Sequence, residues 1–169
     1  MASRTLISVE EYLRTSYRPD CDYVDGEVLE RNVGETDHSW LQTALSAYLF
    51  ARRKEWGITV LVEQRVQVTS TGFRVPDICV IQGPKPTQQI LTEPPFICIE
   101  VLSPEDRMSR TEERVDDYLA MGVRYVWVLG PATKRARSIT PVEGWREEKS
   151  AVLKTLDPPI EIPLAEIFS

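Results

Sequence analysis

The sequence predicts an α/β fold, a mixed β-sheet flanked by helices, and three observations point there. Val75–Ile81 and Phe96–Leu102 are near-continuous apolar runs, the mark of strands buried on both faces. Segments of helical periodicity stand before and after them. The order is helix, three strands, helix, strand, which layers helices against a sheet.

The first helix starts at Ser8, because Ser8-Val9-Glu10-Glu11 is a capping box. It ends by Ser16, since Pro19 disfavours helix at Arg18. Tyr23–Leu29 forms two short strands around an Asp25-Gly26 turn. A second helix runs from Asp37, a good N-cap, to Lys54 before Gly57, burying Leu41, Leu45, Tyr48 and Leu49. Val60–Val68 alternates and is expected as one strand, followed by the two apolar runs. Gln82–Pro95 contains four prolines and a glycine and is a loop. Ser103 is expected to cap a third helix with Pro104 at its first position, ending at Gly122. Val123–Leu129 is a central strand. Lys134–Thr140 and Ala151–Leu156 read as an edge hairpin, and Leu164–Phe168 as a terminal turn.

A length of 169 residues fits one domain: an N-terminal helix and hairpin in 1–34, a core in 35–130, and a C-terminal hairpin and tail in 131–169. A composition 42% hydrophobic and 27% charged excludes a disordered chain or a coiled coil. No apolar run approaches the roughly 20 residues of a membrane span. The Met1–Leu6 start shows no secretory leader, and with three cysteines lacking any C-x-x-C pair the expected setting is a reducing cytoplasm. A formal charge of −6 argues against a general nucleic-acid binder, while leaving room for a local basic strip beside an acidic metal site. P-loop, dinucleotide, zinc-protease and serine-hydrolase signatures are absent.

Asp77 opens one buried strand and Glu100 lies near the end of the next. Burying such charges is costly unless they are paired or hold a metal. If the strands are neighbours in register, the two carboxylates face one another and offer the oxygen-only donors that suit Mg2+ or Mn2+. Arg107, Arg110 and Arg114 share one helical stripe. Arg107 and Arg110 read as a solvated face paired with neighbouring acids, and Arg114, beside the apolar face, as a phosphate clamp. His38, the only histidine, is the available imidazole for acid–base work, its cation disfavoured by a helix N-terminus. Glu27 adds a carboxylate if the hairpin folds over the second helix.

Arg74-Val75-Pro76-Asp77-Ile78-Cys79-Val80, Pro95–Pro104 and Tyr118–Leu129 together resemble the bacterial Uma-type restriction endonuclease family, a domain-of-unknown-function branch of the PD-(D/E)XK nucleases. Tyr23–Val28, His38 and Ile162–Phe168 extend the resemblance over almost the whole chain. It implies a restriction-endonuclease-like fold and magnesium-dependent hydrolysis of DNA, with Asp77 and Glu100 on the metal and Glu27 and His38 near it. The lysine expected two residues after the glutamate is Leu102 here. The branch's helical lysine is Arg114, whose pKa above ~12 prevents it from taking a proton from water. Arg110 stands where the branch often has an acid. Metal-dependent endonuclease is therefore the leading expectation; a cleavage-impaired binding or assembly module, homodimeric by its sheet edge or first helix, is the other.

Overall fold

The computed structural model describes residues 5–32 and 34–169. The leader expectation rests mainly on Met1–Arg4, outside this range. Helix α1 (Val9–Arg14) is capped by the Ser8 hydroxyl, which accepts from the Glu11 amide at 3.1 Å. Ser8→Ala is expected to cost about 1 kcal/mol in urea denaturation. The helix contributes Tyr12, stacked on Tyr23 at 4.8 Å between ring centroids. Strands β1 (Asp22–Val24) and β2 (Glu27–Leu29) form the expected hairpin. Its Asp25-Gly26 turn has φ 48° and 97°, the left-handed pair that such a two-residue turn requires.

Helix α2 (Thr36–Ala51) is followed by the short α3 (Arg53–Trp56). Its N-cap is Glu35, so Asp37 falls in the first turn and serves the dipole instead of the cap. The segment expected as one strand over 60–68 divides into β3 (Ile58–Val62) and β4 (Val66–Thr69). Glu63 is left-handed (φ 48°), and the polar Glu63-Gln64-Arg65 triplet carries the chain from one sheet to another. Val62 is consequently 54% exposed while Val66 is buried. β5 (Gly72–Arg74) precedes β6 (Ile78–Gln82), which starts three residues later than expected, since 75–77 bridge the two sheets and Pro76 has no amide to give.

After the loop come β7 (Ile97–Val101), α4 (Met108–Met121) and β8 (Tyr125–Gly130). Helix α4 begins a turn later than Ser103-Pro104 suggests. The Asp106 carboxylate accepts from the Ser103 amide at 2.6 Å and the Asp106 amide donates to the Ser103 carbonyl at 3.0 Å, closing a separate turn. β9 (Arg135–Thr140) pairs with β10 (Gly144–Glu147) in the C-terminal hairpin, whereas β11 (Val152–Lys154) pairs with β12 (Glu161–Pro163), which leads into α5 (Leu164–Ile167). The expected pairing of 134–140 with 151–156 is thus replaced by two local ladders.

The main sheet has the order β10-β9-β8-β7-β6-β3. Only β7 and β8 run parallel among its described pairs, and α4 supplies the crossover such a pair needs. A second sheet, β2-β1-β5-β4, joins the N-terminal hairpin to 66–74. One face of the main sheet (Ile78, Val80, Ile97, Ile99, Trp127) packs on Leu41, Leu45 and Leu49 of α2, closed by α5. The opposite face (Cys79, Cys98, Val126, Val128) packs on Val115 and Tyr118 of α4. Among the described residues no helix is long and apolar enough to cross a membrane.

Candidate active site

The β6–β7 ladder pairs Ile78 with Ile99 and Cys79 with Cys98, and one more step places Asp77 opposite Glu100. Alternation puts both on the face of Cys79 and Cys98, the face covered by α4. That is why Glu100 meets α4. Its Oε1 accepts from the Tyr118 hydroxyl at 2.6 Å and its Oε2 from Arg114 Nη1 at 3.0 Å. Asp77, at the strand end, is reached from the other side. Arg31, in the segment joining β2 to α2, donates from Nη2 to Oδ1 at 2.7 Å, and His38 Nε2 lies 3.4 Å from the same oxygen. The Val101 amide donates to Oδ2 at 2.7 Å, and the Gln42 amide to the Asp77 carbonyl at 3.0 Å.

A third buried carboxylate extends the network. Asp22 accepts from Arg74 Nη1 at 3.1 Å and from the Val75 amide at 3.0 Å, and lies 3.6 Å from Arg114 Nε. Arg74 also donates to Asp117 at 2.7 Å. Asp22, Asp77 and Glu100 are 2–3% exposed, so their charges persist only because Arg31, Arg74 and Arg114 are threaded between them.

The facing carboxylates are driven apart in pKa. Burial pushes Glu100 up to about 7, with Arg114 acting against the shift. Burial also presses Asp77 upward, but the His38 hydrogen bond and the Arg31 guanidinium outweigh it and hold the acid below the usual carboxylate range. His38 is raised by its hydrogen bond to Asp77, against burial. The expectation that the helix terminus disfavours its cation is thus corrected: a carboxylate 3.4 Å away outweighs a partial dipole charge.

Of the residues singled out from sequence, the fold brings Asp77, Glu100, Arg114 and His38 together. Glu27 stands opposite Val24 at the turn end of the hairpin, while the other end, Asp22 opposite Leu29, reaches the network. The surface pairing expected for Arg107 and Arg110 does not form: neither makes an ion pair with another described residue. Sequence reasoning missed Arg31, whose place in an irregular polar stretch carries no pattern. It also missed Asp22, which did leave a signal, a carboxylate inside Cys21-Asp22-Tyr23-Val24.

Residues 9–168 match the family model Uma2, described as "Putative restriction endonuclease". The chain belongs to this family. The chain is also similar to a solved structure from Anabaena variabilis ATCC 29413, described as "a putative nuclease belonging to DUF820". The two are 19% identical, with a TM-score of 0.84 over 96% of this chain and 97% of that one, a likeness that carries the fold. No curated protein matches.

Asp77 and Glu100 fit a divalent cation by donor type, hard carboxylate oxygens, and by their facing positions. Among the described residues no three His, Cys, Asp or Glu side chains stand together as ligands. An ion held there would have these two acids as its protein ligands. Each acid is engaged with a guanidinium, so an ion would have to displace Arg31 or Arg114.

Proposed function

We propose that this protein hydrolyses DNA phosphodiester bonds with the aid of a divalent cation, Mg2+ or Mn2+, held by Asp77 and Glu100. The observation that carries the reading is the pair itself: two buried acids face to face, one held anionic and one with a pKa near 7, between two guanidinium groups. Membership of a family described as "Putative restriction endonuclease" supports DNA as the substrate.

When bound, the ion supplies charge screening of the scissile phosphate and a more acidic water. Asp77 stays ionised and holds it. Glu100 would accept the proton of the attacking water, a role that the pKa of Arg114 forbids. Tyr118 fixes the orientation of Glu100. Arg114 and Arg31, released from the carboxylates, donate to phosphate oxygens. His38, with its raised pKa, delivers a proton to the leaving oxygen. Glu27 is assigned no step. The three cysteines, buried and unpaired, suit a reducing compartment such as the cytoplasm.

Calorimetric titration with Mn2+ tests the metal. Wild type is expected to bind one ion and Asp77→Asn to lose the heat signal; indistinguishable isotherms would remove the cation from the account. A second reading has its own observation. Both oxygens of Asp77 and of Glu100 already have protein partners, as befits a cleavage-impaired module that binds or assembles. There a second copy would add at the sheet edge β3, where Val62 is exposed.

A further inference from the structure

We propose that Arg107 and Arg110, with Arg114 behind them, form a track for the phosphate backbone of a DNA duplex leading to the acidic pair, a role that rests on the nucleic-acid reading above. The three arginines sit at i, i+3 and i+7 at the start of α4. They span about 10 Å along the helix axis at 1.5 Å per residue. One strand of a duplex rises about 3.4 Å per nucleotide, so this length covers roughly three phosphates.

The three differ in what they touch. Arg114 is committed to Glu100 and Asp22. Arg107 and Arg110 are exposed and make no ion pair with any described residue, although Glu30 and Glu113 also line the cleft. Glu30 and Glu113 line the same cleft without an ion pair to either arginine, so both guanidinium groups are open to a ligand. They border an open cleft of about 210 Å³ whose floor is Asp22, Arg74 and Arg114, the end of the network that includes Glu100.

Arg137 supports the same side. The strand registers place Glu100 beside Val128 and Val128 beside Arg137, on one row across the sheet. Two strand spacings put it about 10 Å from Glu100. Its guanidinium lies 3.9 Å from Met108 Sδ in the first turn of α4, and it too has no ion pair with a described residue. A chain of net charge −6 thus keeps unpaired arginines at one edge of its acidic pair. A polyanion is the ligand whose chemistry needs them.

The test is fluorescence anisotropy of a labelled 20-bp duplex in EDTA, where no cleavage occurs, with affinity followed against salt. Arg107→Ala/Arg110→Ala is compared with Arg14→Ala/Lys149→Ala, two exposed cations elsewhere, which changes the net charge equally. Each phosphate contact contributes about 0.9 to the slope of log affinity on log salt, so the arginine variant is expected to flatten it by nearly 2 and to bind at least about tenfold more weakly near 0.1 M salt. The control is expected to match wild type. Equal slopes in the two variants, or no duplex binding by wild type, would overturn the track. The binding readout is separate from plasmid nicking. Loss of slope without nicking in wild type would sink the hydrolase and keep the track, whereas nicking with an unchanged slope would do the reverse.

Discussion

Arg114→Ala is expected to lose about 3 kcal/mol or more of folding stability at pH 8 and far less near pH 5. Removing one partner of a buried ion pair leaves the other charge uncompensated, at a typical cost of about 3–5 kcal/mol. Among the described residues Arg114 is the sole guanidinium bonded to Glu100, and both are largely buried. The sign follows from linkage. Glu100 has a folded pKa of about 7 against an ordinary 4.5, so its protonated form favours the folded state. That contribution is fully present below pH 4.5 and is lost as pH rises through 7. In wild type it amounts to at most about 3 kcal/mol. Without Arg114 the folded pKa climbs further, and the variant keeps losing stability past pH 7, where wild type has levelled off. Asp77 acts with the opposite sign, since its folded pKa is depressed: its contribution is present above the ordinary carboxylate pKa and lost on acidification. Urea denaturation of both proteins between pH 5 and 8.5 reads the difference. An equal loss at the two ends would mean that Glu100 is not the group Arg114 serves.

The second large effect concerns cleavage. Glu100→Gln is expected to lower the nicking of supercoiled plasmid in Mn2+ by about 10²–10⁴-fold, the span attributed to a positioned proton acceptor. The amide preserves the shape of the carboxylate and leaves an oxygen for the Tyr118 hydroxyl, so the fold is kept. The amide nitrogen then turns a donor toward Arg114, which keeps Asp22 as its carboxylate partner, so the variant is expected to be less stable than wild type at pH 8, and urea denaturation checks that it remains folded. The wild-type rate should rise with pH as Glu100 ionises, and the residual rate of the variant should not. Nicking by the variant at the wild-type rate would exclude Glu100 from the chemistry. A wild type that binds Mn2+ yet leaves the plasmid intact would favour the impaired module.

Much of this site was legible in the chain. Two carboxylates at the ends of consecutive apolar runs signalled a buried acidic pair that faces across neighbouring strands. Arg114 was recognisable by its position beside the apolar face of that helix. Where the reading failed, the cause was connectivity. Val60–Val68 has unbroken strand-like alternation, yet Glu63 adopts a left-handed φ and splits it between two sheets. Ser103-Pro104 has helix-start chemistry, yet Asp106 captures the Ser103 amide and delays the helix by a turn.

The sequence by itself determined the layers, the strands buried on both faces and the acids that must be neutralised, because periodicity and the cost of burying charge act locally along the chain. Only the tertiary structure decided which cations do the neutralising. Arg31 comes to Asp77 across 46 residues, and Arg74 to Asp22 across 52. Such partners are selected by the packing of two sheets against two helices, and no residue spacing encodes the distance between them.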